Sequence, residues 1–174
     1  DIPLIRRFQL GYEAGAKKIN PKVKLTSNFI GIDGGAWNNP AKAKELAVSQ
    51  YDGGVDVIFS PSGASTSGVF DAAEEKNKFA IGVDSNQNWV KPGHILTSML
   101  KRVDVAVFDA CKDVKDGKFD AGIKRFGLSG DGVGYAVDQY NEKILPESVR
   151  KKLDALKAEI IAGKIQVPDY YKKK

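Results

Sequence analysis

Apolar positions along the 174-residue chain recur with a period that switches between helical and extended, and the switching predicts the elements in order. Ile5 to Ile19 reads as a helix with Phe8, Tyr12 and Ile19 on one face, stopped by Asn20-Pro21. Val23 to Ile32 reads as a strand, being rich in Val, Leu, Ile and Phe. Pro40 to Tyr51 places Ala43, Leu46, Ala47, Gln50 and Tyr51 at i, i+3, i+4, i+7 and i+8, a helical stripe closed by Gly53-Gly54. A short apolar strand, Val55 to Ser60, precedes a helix over Thr66 to Asn77 that carries Val69, Phe70 and Ala73. Phe79 to Asp84 is a further buried strand. Strands separated by single helices need right-handed crossovers, which build a parallel sheet with helices on both faces. The predicted fold class is therefore α/β.

The later half is less regular. Ile95 to Met99 reads as a strand, and Val103 to Lys115 as a helix with Val107, Cys111 and Val114 inward. Ile123 to Leu128 and Val133 to Val137 read as strands around the turn Ser129-Gly130-Asp131-Gly132. Pro146 to Ala162 is a final amphipathic helix with Val149, Leu153, Leu156 and Ile160 inward and Gly163 beyond its end. Pro168 onward reads as a frayed tail.

Composition narrows the function classes. Hydrophobic residues make up 42% and charged residues 28%, which fits a globular chain and argues against disorder or a coiled coil. No apolar run approaches the ~18–20 residues needed to span a bilayer. One His and one Cys argue against a His/Cys zinc site, an internal disulfide or histidine-based catalysis. The net charge of +5 gathers at Lys172–Lys174 and on the last helix, with no nucleic-acid motif or row of stacking aromatics, so no nucleic-acid partner is expected. Asp1 is not an initiator residue and no leader is readable, so a processed product or part of a longer protein is expected.

Ligands of open α/β sheets bind beyond the carboxyl ends of the strands. Three features fall there. Asp33-Gly34-Gly35-Ala36-Trp37-Asn38-Asn39-Pro40 would hold an indole near the crevice. Ser60-Pro61-Ser62-Gly63-Ala64-Ser65-Thr66-Ser67-Gly68 lets a ligand approach the backbone at a helix N-terminus. Asp84 ends an apolar strand before Ser85-Asn86-Gln87-Asn88. Alone, each has a blander explanation in packing, turn or cap chemistry. Together, an aromatic plate, a polar cradle and a carboxylate suit a flat base carrying a ribose. Lys101 and Arg102 follow the next strand as exposed charges, His94 sits in a surface turn, and Cys111 reads as a small core residue. No nucleophile–base pair and no metal-ligand spacing is readable, so neither an enzyme nor a cofactor is expected.

These residues resemble a known family. In order, DIPLIRRFQLGYEAGAK, GAWNNPAKAKELA, VDVIFSPSGASTSGVFDAA, FAIGVDSNQ, ILTSMLKRVD and SGDGVGYAV resemble the basic membrane lipoprotein family, purine-nucleoside-receptor type solute-binding proteins of ABC transporters. The resemblance runs from Asp1 to about Val167. It implies a type I periplasmic-binding-protein fold of two α/β lobes around a hinged cleft, with a purine nucleoside captured and not converted. It also implies an ABC permease as partner and a lipid-anchored place in the cell envelope. Trp37 matches the aromatic that stacks on the base, and Gly63 and Ala64 match the small loop approaching the ligand. Asp84 matches the carboxylate holding the ribose hydroxyls, and Lys101 the lysine completing the polar site.

Two departures stand out. Family members open with a lipobox cysteine and a first lobe of about 100 residues or more, whereas this chain begins where the second lobe begins. Residues 1–98 would be that second lobe, 99–122 a return segment normally belonging to the first, 123–167 a crossing back with the final helix, and 168–174 the tail. Val103, Val107, Cys111 and Val114 would then need another cover, through self-association or repacking. The other departure is the hydroxyl-rich Ser60–Ser67 loop, where smaller apolar residues are the pattern. It bears on the cleft wall and keeps a sugar- or autoinducer-type ligand open. A nucleoside- or sugar-processing enzyme would have only Asp84 as its acid or base, and a ligand-binding core of a DNA-binding regulator would share the fold.

Overall fold

Asn39 starts the principal helical layer. Its side chain accepts from the Lys42 N–H at 3.0 Å, and Pro40 follows at the first helical position, where its missing N–H costs nothing. The helix they open, α2 (Pro40–Asp52), packs along α3 (Thr66–Glu75). The approach is closest at Gly68, where a Cβ would lie 2.0 Å from the Pro40 carbonyl oxygen. Ala43, Ala47 and Tyr51 of α2 and Val69, Phe70, Ala72 and Ala73 of α3 form the core with Ala80 and Ile95 of the sheet. Tyr51 donates its hydroxyl to the Phe79 carbonyl at 2.8 Å, and burial pushes its phenol well above the ordinary range. It stays neutral and serves as a tie between helix and sheet.

The structure, a computed structural model, describes residues 1–172. Its sheet has four strands in the order β1 (Val57–Phe59), β2 (Phe79–Asp84), β3 (Ile95–Lys101) and β4 (Val133–Tyr135). The first three run parallel and β4 joins antiparallel, with Met99 opposite Tyr135. Ala80 and Ile95 face α2 and α3. On the opposite face, Phe59 and its neighbour Ile81 look toward α1 (Pro3–Ile19), whose Phe8 and Tyr12 rings lie 6.3 and 5.5 Å from the Phe59 ring. Helices therefore flank both faces, as the alternation of periods predicts. α4 (Val103–Lys115) has the predicted ends, and α5 (Glu147–Ile161) half-buries Leu153, Leu156 and Ile160 while Val149 stays exposed.

Four expectations need correction. Val23 to Ile32 forms no ladder with β1. It is held instead by Phe29, which receives the Arg6 guanidinium at 4.3 Å, by Ser27, which accepts from Gln9, by Ile30 in the core and by the Gly31 carbonyl, which accepts from the Asp1 ammonium at 2.7 Å. A cavity of about 940 Å³ lies between this segment, α1, α2 and the open edge of β1. Ile123 to Leu128 is likewise not a strand, because Met99 to Lys101 of β3 pair with Val133 to Tyr135 instead. α4 buries none of its residues: Val103, Val107, Phe108 and Val114 are exposed, and so is Cys111, which is no core residue. Finally, the end of the chain is not frayed as far as Lys172. Tyr170–Lys172 forms a 3₁₀ turn beside α1, where Arg7 pairs with Asp169 at 3.1 Å and lies over the Tyr171 ring. Lys173 and Lys174 fall outside the described residues.

Candidate functional site

Because β1, β2 and β3 are parallel, their carboxyl ends share one edge of the sheet. Ser60, Asp84 and Lys101 stand at those three ends. Asp84 is paired in register with Leu100, so Lys101 is its next neighbour along β3, and its ammonium lies 2.7 Å from the Asp84 carboxylate. Both side chains remain about half exposed. A pair so open contributes at most about 1 kcal/mol to stability. It is therefore free to exchange partners with a ligand at little cost to the fold.

Asp84 adopts φ +68°, a left-handed conformation that non-glycine residues rarely take. The turn after it explains why the conformation persists. The Gln87 side-chain oxygen accepts from the Val83 N–H at 2.8 Å, and the Gln87 N–H donates to Ser98 Oγ at 3.0 Å. Ser98 donates to Asn88 Oδ1 at 2.8 Å, and Asn86 and Asn88 both donate to Asp138. Asn88, Ser98 and Asn141 are fully buried, and Asn141 donates to the Leu96 and Ala136 carbonyls. This polar network folds Ser85–Asn88 back over the sheet, and Gly82 leaves room for it. A Cβ there would come within 2.6 Å of Ser98 Oγ and 2.9 Å of Gln87 Oε1. At Asp138 desolvation disfavours the charge, but hydrogen bonds from Asn86, the Tyr140 N–H and Asn88 prevail and hold its carboxyl below the usual carboxylate range.

The second half of the site lies beyond β1. Trp37 sits in the 3₁₀ turn Gly34–Asn38, which Asp33 caps by accepting from the Gly35 N–H at 2.9 Å. Gly63 opens a second 3₁₀ turn, Gly63–Ser65, at φ +61°. A Cβ on Gly63 would meet Trp37 Cε3 at 3.2 Å and the Trp37 carbonyl at 3.3 Å, so the indole is seated directly on the Gly63 backbone. Trp37 is 40% exposed, and Gly63 and Ala64 are exposed beside it.

The hydroxyls of the Ser60–Ser67 loop mostly turn inward. Ser60, Ser65 and Thr66 are buried. Thr66 donates to the Ser60 carbonyl at 2.8 Å, Ser62 bonds both Thr66 and Ser60 through hydroxyls, and Ser65 donates to the Ala36 carbonyl at 2.7 Å. These hydroxyls bond to one another and to the backbone and so build the loop, while Ser60 and Ser62 also border the cavity.

The structure thus joins the five sequence-predicted residues into two clusters on one sheet edge, Trp37 with Gly63 and Ala64, and Asp84 with Lys101. Arg102 is not part of them; it closes on Asp104 in the first turn of α4. His94 is a turn residue whose ring bonds the Lys78 carbonyl. The large cavity touches this edge at Trp37 and Ser60–Ser62, while Asp84 and Lys101 lie outside its lining. Sequence reasoning named Ser65, Gln87 and Asn88 only as parts of their loops and missed their bonding, and it gave no role to Ser98 or Asp138. Gly82 was the available signal, since a glycine inside an apolar strand marks a close approach. No group of three or more His, Cys, Asp or Glu side chains capable of holding a metal occurs among the described residues.

Comparison with known proteins gives a consistent result. The family model Bmp, described as ABC transporter substrate-binding protein PnrA-like, matches residues 1–170. Basic membrane protein D of Borreliella burgdorferi is 32% identical over 169 residues, covering 95% of this chain and 48% of the relative. The ABC transporter nucleoside-binding protein BmpA of Lactococcus lactis is 32% identical over 183 residues, covering 95% of this chain and 50% of the relative. Among solved structures, an ABC transporter solute-binding protein from Aeropyrum pernix superimposes with a TM-score of 0.77 at 31% identity, covering 97% of this chain and 55% of that one. The chain spans about half the length of the relatives it matches.

Proposed function

The chain belongs to the Bmp family of PnrA-like ABC transporter substrate-binding proteins, and on that premise we propose that its strand-end site captures a purine nucleoside for import. The observation that carries the reading is the juxtaposition at one sheet edge of a seated, half-open indole and a half-exposed carboxylate with its lysine. The exposed face of Trp37 stacks on the base. The Asp84 carboxylate has two oxygens to accept from vicinal ribose hydroxyls, and Lys101, released from one of them, donates to the sugar or its ring oxygen. Gly63 and Ala64 let the ligand come close to the backbone. The internal bonding of Ser60, Ser65 and Thr66 supports this reading over a sugar- or autoinducer-type ligand. The reading is capture without conversion, which fits the substrate-binding family the chain belongs to.

In this reading residues 1–98 and 123–167 form one lobe, and 99–122 is a return segment. The exposed apolar face of α4, with Val107 and Phe108, is the surface this reading assigns to the other lobe or to a second copy. The assembled protein works at the cell envelope and passes its ligand to a permease. A single lobe covers only one side of the ligand, so affinity falls toward the millimolar range, about 4 kcal/mol of binding. Calorimetric titration with adenosine, guanosine, inosine and ribose tests this. Nucleosides should bind with a dissociation constant near or below about 1 mM and Asp84→Ala should weaken them at least tenfold, about 1.4 kcal/mol. Equal binding of free ribose, or no effect of Asp84→Ala, would overturn it.

A further inference from the structure

We infer that Ser65 is the positioning residue that fixes the Trp37 platform. Ser65 is fully buried, and its one hydroxyl makes two bonds to the chain on either side of the indole. It donates to the carbonyl of Ala36, the residue before Trp37, at 2.7 Å. It accepts from the N–H of Asn39, two residues after Trp37, at 2.7 Å. A hydroxyl has one proton to give, and here that proton is committed to one flank of the loop while a lone pair holds the other. One bond reaches Ala36 inside the 3₁₀ turn Gly34–Asn38, 29 residues away in the chain, and the other reaches Asn39 just past its end, 26 residues away.

The consequence follows from what else touches Trp37. The indole rests on Gly63, two residues before Ser65 in the same short turn. The surface under the ring and the anchor of its backbone are therefore one unit, and the backbone that carries the ring cannot shift against Gly63 without breaking a Ser65 bond. Asn39 has a second task as the cap of α2, so the anchor also ties the loop to the first turn of that helix. The neighbouring hydroxyls serve other ends: Thr66 and Ser62 close on Ser60, and Ser67 donates to the Ala64 carbonyl at the surface. Ser65 alone among the loop's hydroxyls reaches the Trp37 segment in the described hydrogen bonds. A ligand that stacks on Trp37 meets a plate already held in place, and removing the anchor makes binding bear the ordering of that loop.

The chain's two tryptophans allow a test that needs no ligand. In a Trp89→Phe background the emission reports Trp37; in a Trp37→Phe background it reports Trp89, which belongs to the β2–β3 connection. Ser65→Ala should at least double acrylamide quenching of Trp37 and lower its anisotropy, while Trp89 stays unchanged. Ser67→Ala should change neither. If Ser65→Ala leaves Trp37 unmoved, or loosens both tryptophans equally, Ser65 is not its positioning residue. Ser65→Cys, which keeps the shape with a weaker donor, should give an intermediate value and carries the same test should the alanine variant not fold. The effect on affinity rests on the nucleoside reading: adenosine should bind Ser65→Ala several-fold more weakly than the parent. If Trp37→Ala itself leaves adenosine binding intact, the nucleoside reading fails while the anchor is still judged by the fluorescence. If Trp37→Ala abolishes binding and Ser65→Ala leaves it at parental strength, the positioning role is refuted.

Discussion

Gly68→Ala should destabilise the fold even though alanine is the better helix former. In an exposed helix interior the exchange of Gly for Ala gains about 1 kcal/mol. At Gly68 the new Cβ would stand 2.0 Å from the Pro40 carbonyl oxygen, 2.8 Å from its carbon and 3.0 Å from the Lys44 nitrogen. All three are backbone atoms, so no side chain can turn aside, and α2 and α3 must separate by about an ångström, a strain of roughly 3 kcal/mol at the upper end of overpacking costs. The net expectation is a loss of about 2 kcal/mol. Gly15 in α1 is the internal control. A Cβ there meets nothing within 4 Å, so Gly15→Ala should gain about 0.5–1 kcal/mol. Urea denaturation followed by circular dichroism reads both. With a slope of about 2 kcal/mol/M, the midpoint of Gly68→Ala should fall by about 1 M and that of Gly15→Ala should rise by a few tenths. A Gly68→Ala midpoint at or above the parental one would refute the close-approach argument, and with it the packing that seats the Asn39 cap.

Further outcomes follow from the network under Asp84. Ser98→Ala strands Asn88 Oδ1 and the Gln87 N–H in a buried setting, and should cost about 1–3 kcal/mol by the same denaturation assay. Its hydrogen-exchange signature should be faster exchange across Val83–Asn88, while the amides of α5 keep their rates. Asp138 has a carboxyl held below the usual range, so its contribution is fully present above about pH 4 and is lost as pH falls through the lower folded value. Melting temperatures measured from pH 6 to pH 2 should show this acid-side loss, and Asp138→Asn should flatten part of it. Cys111 is exposed on α4, so a bulky maleimide should label it at the rate of a free surface thiol; protection from labelling at high protein concentration would show the α4 face meeting a second copy.

How far the sequence could be read differs from element to element for physical reasons. α4 and the three parallel strands were legible because their signals are local, a helical apolar period in one case and short apolar runs between turns in the other. Val23–Ile32 has strand composition, but composition speaks of conformation and not of partner, and the segment's side chains found α1 while its backbone stayed apart from β1. The inner face predicted for α4 has the right period yet covers nothing among the described residues. At the site, Gly63 and Asp84 could be placed because strand ends mark the crevice, whereas Trp37 follows a segment that is no strand and reaches the edge through its seat on Gly63. The direction of each hydroxyl could not be read, since a serine suits a cleft wall or a buried hydrogen bond equally well. Ser65 and Ser98 were settled only by which backbone groups lay opposite them.

The central claim is that this lobe holds a purine nucleoside between Trp37 and Asp84, and native mass spectrometry of the chain with a mixture of nucleosides and ribose tests it most directly. The account predicts the 18.9 kDa chain carrying one added purine-nucleoside mass, lost in both Trp37→Ala and Asp84→Ala and released chemically unchanged on denaturation. An adduct of ribose alone, or a nucleoside adduct that survives both substitutions, would contradict it.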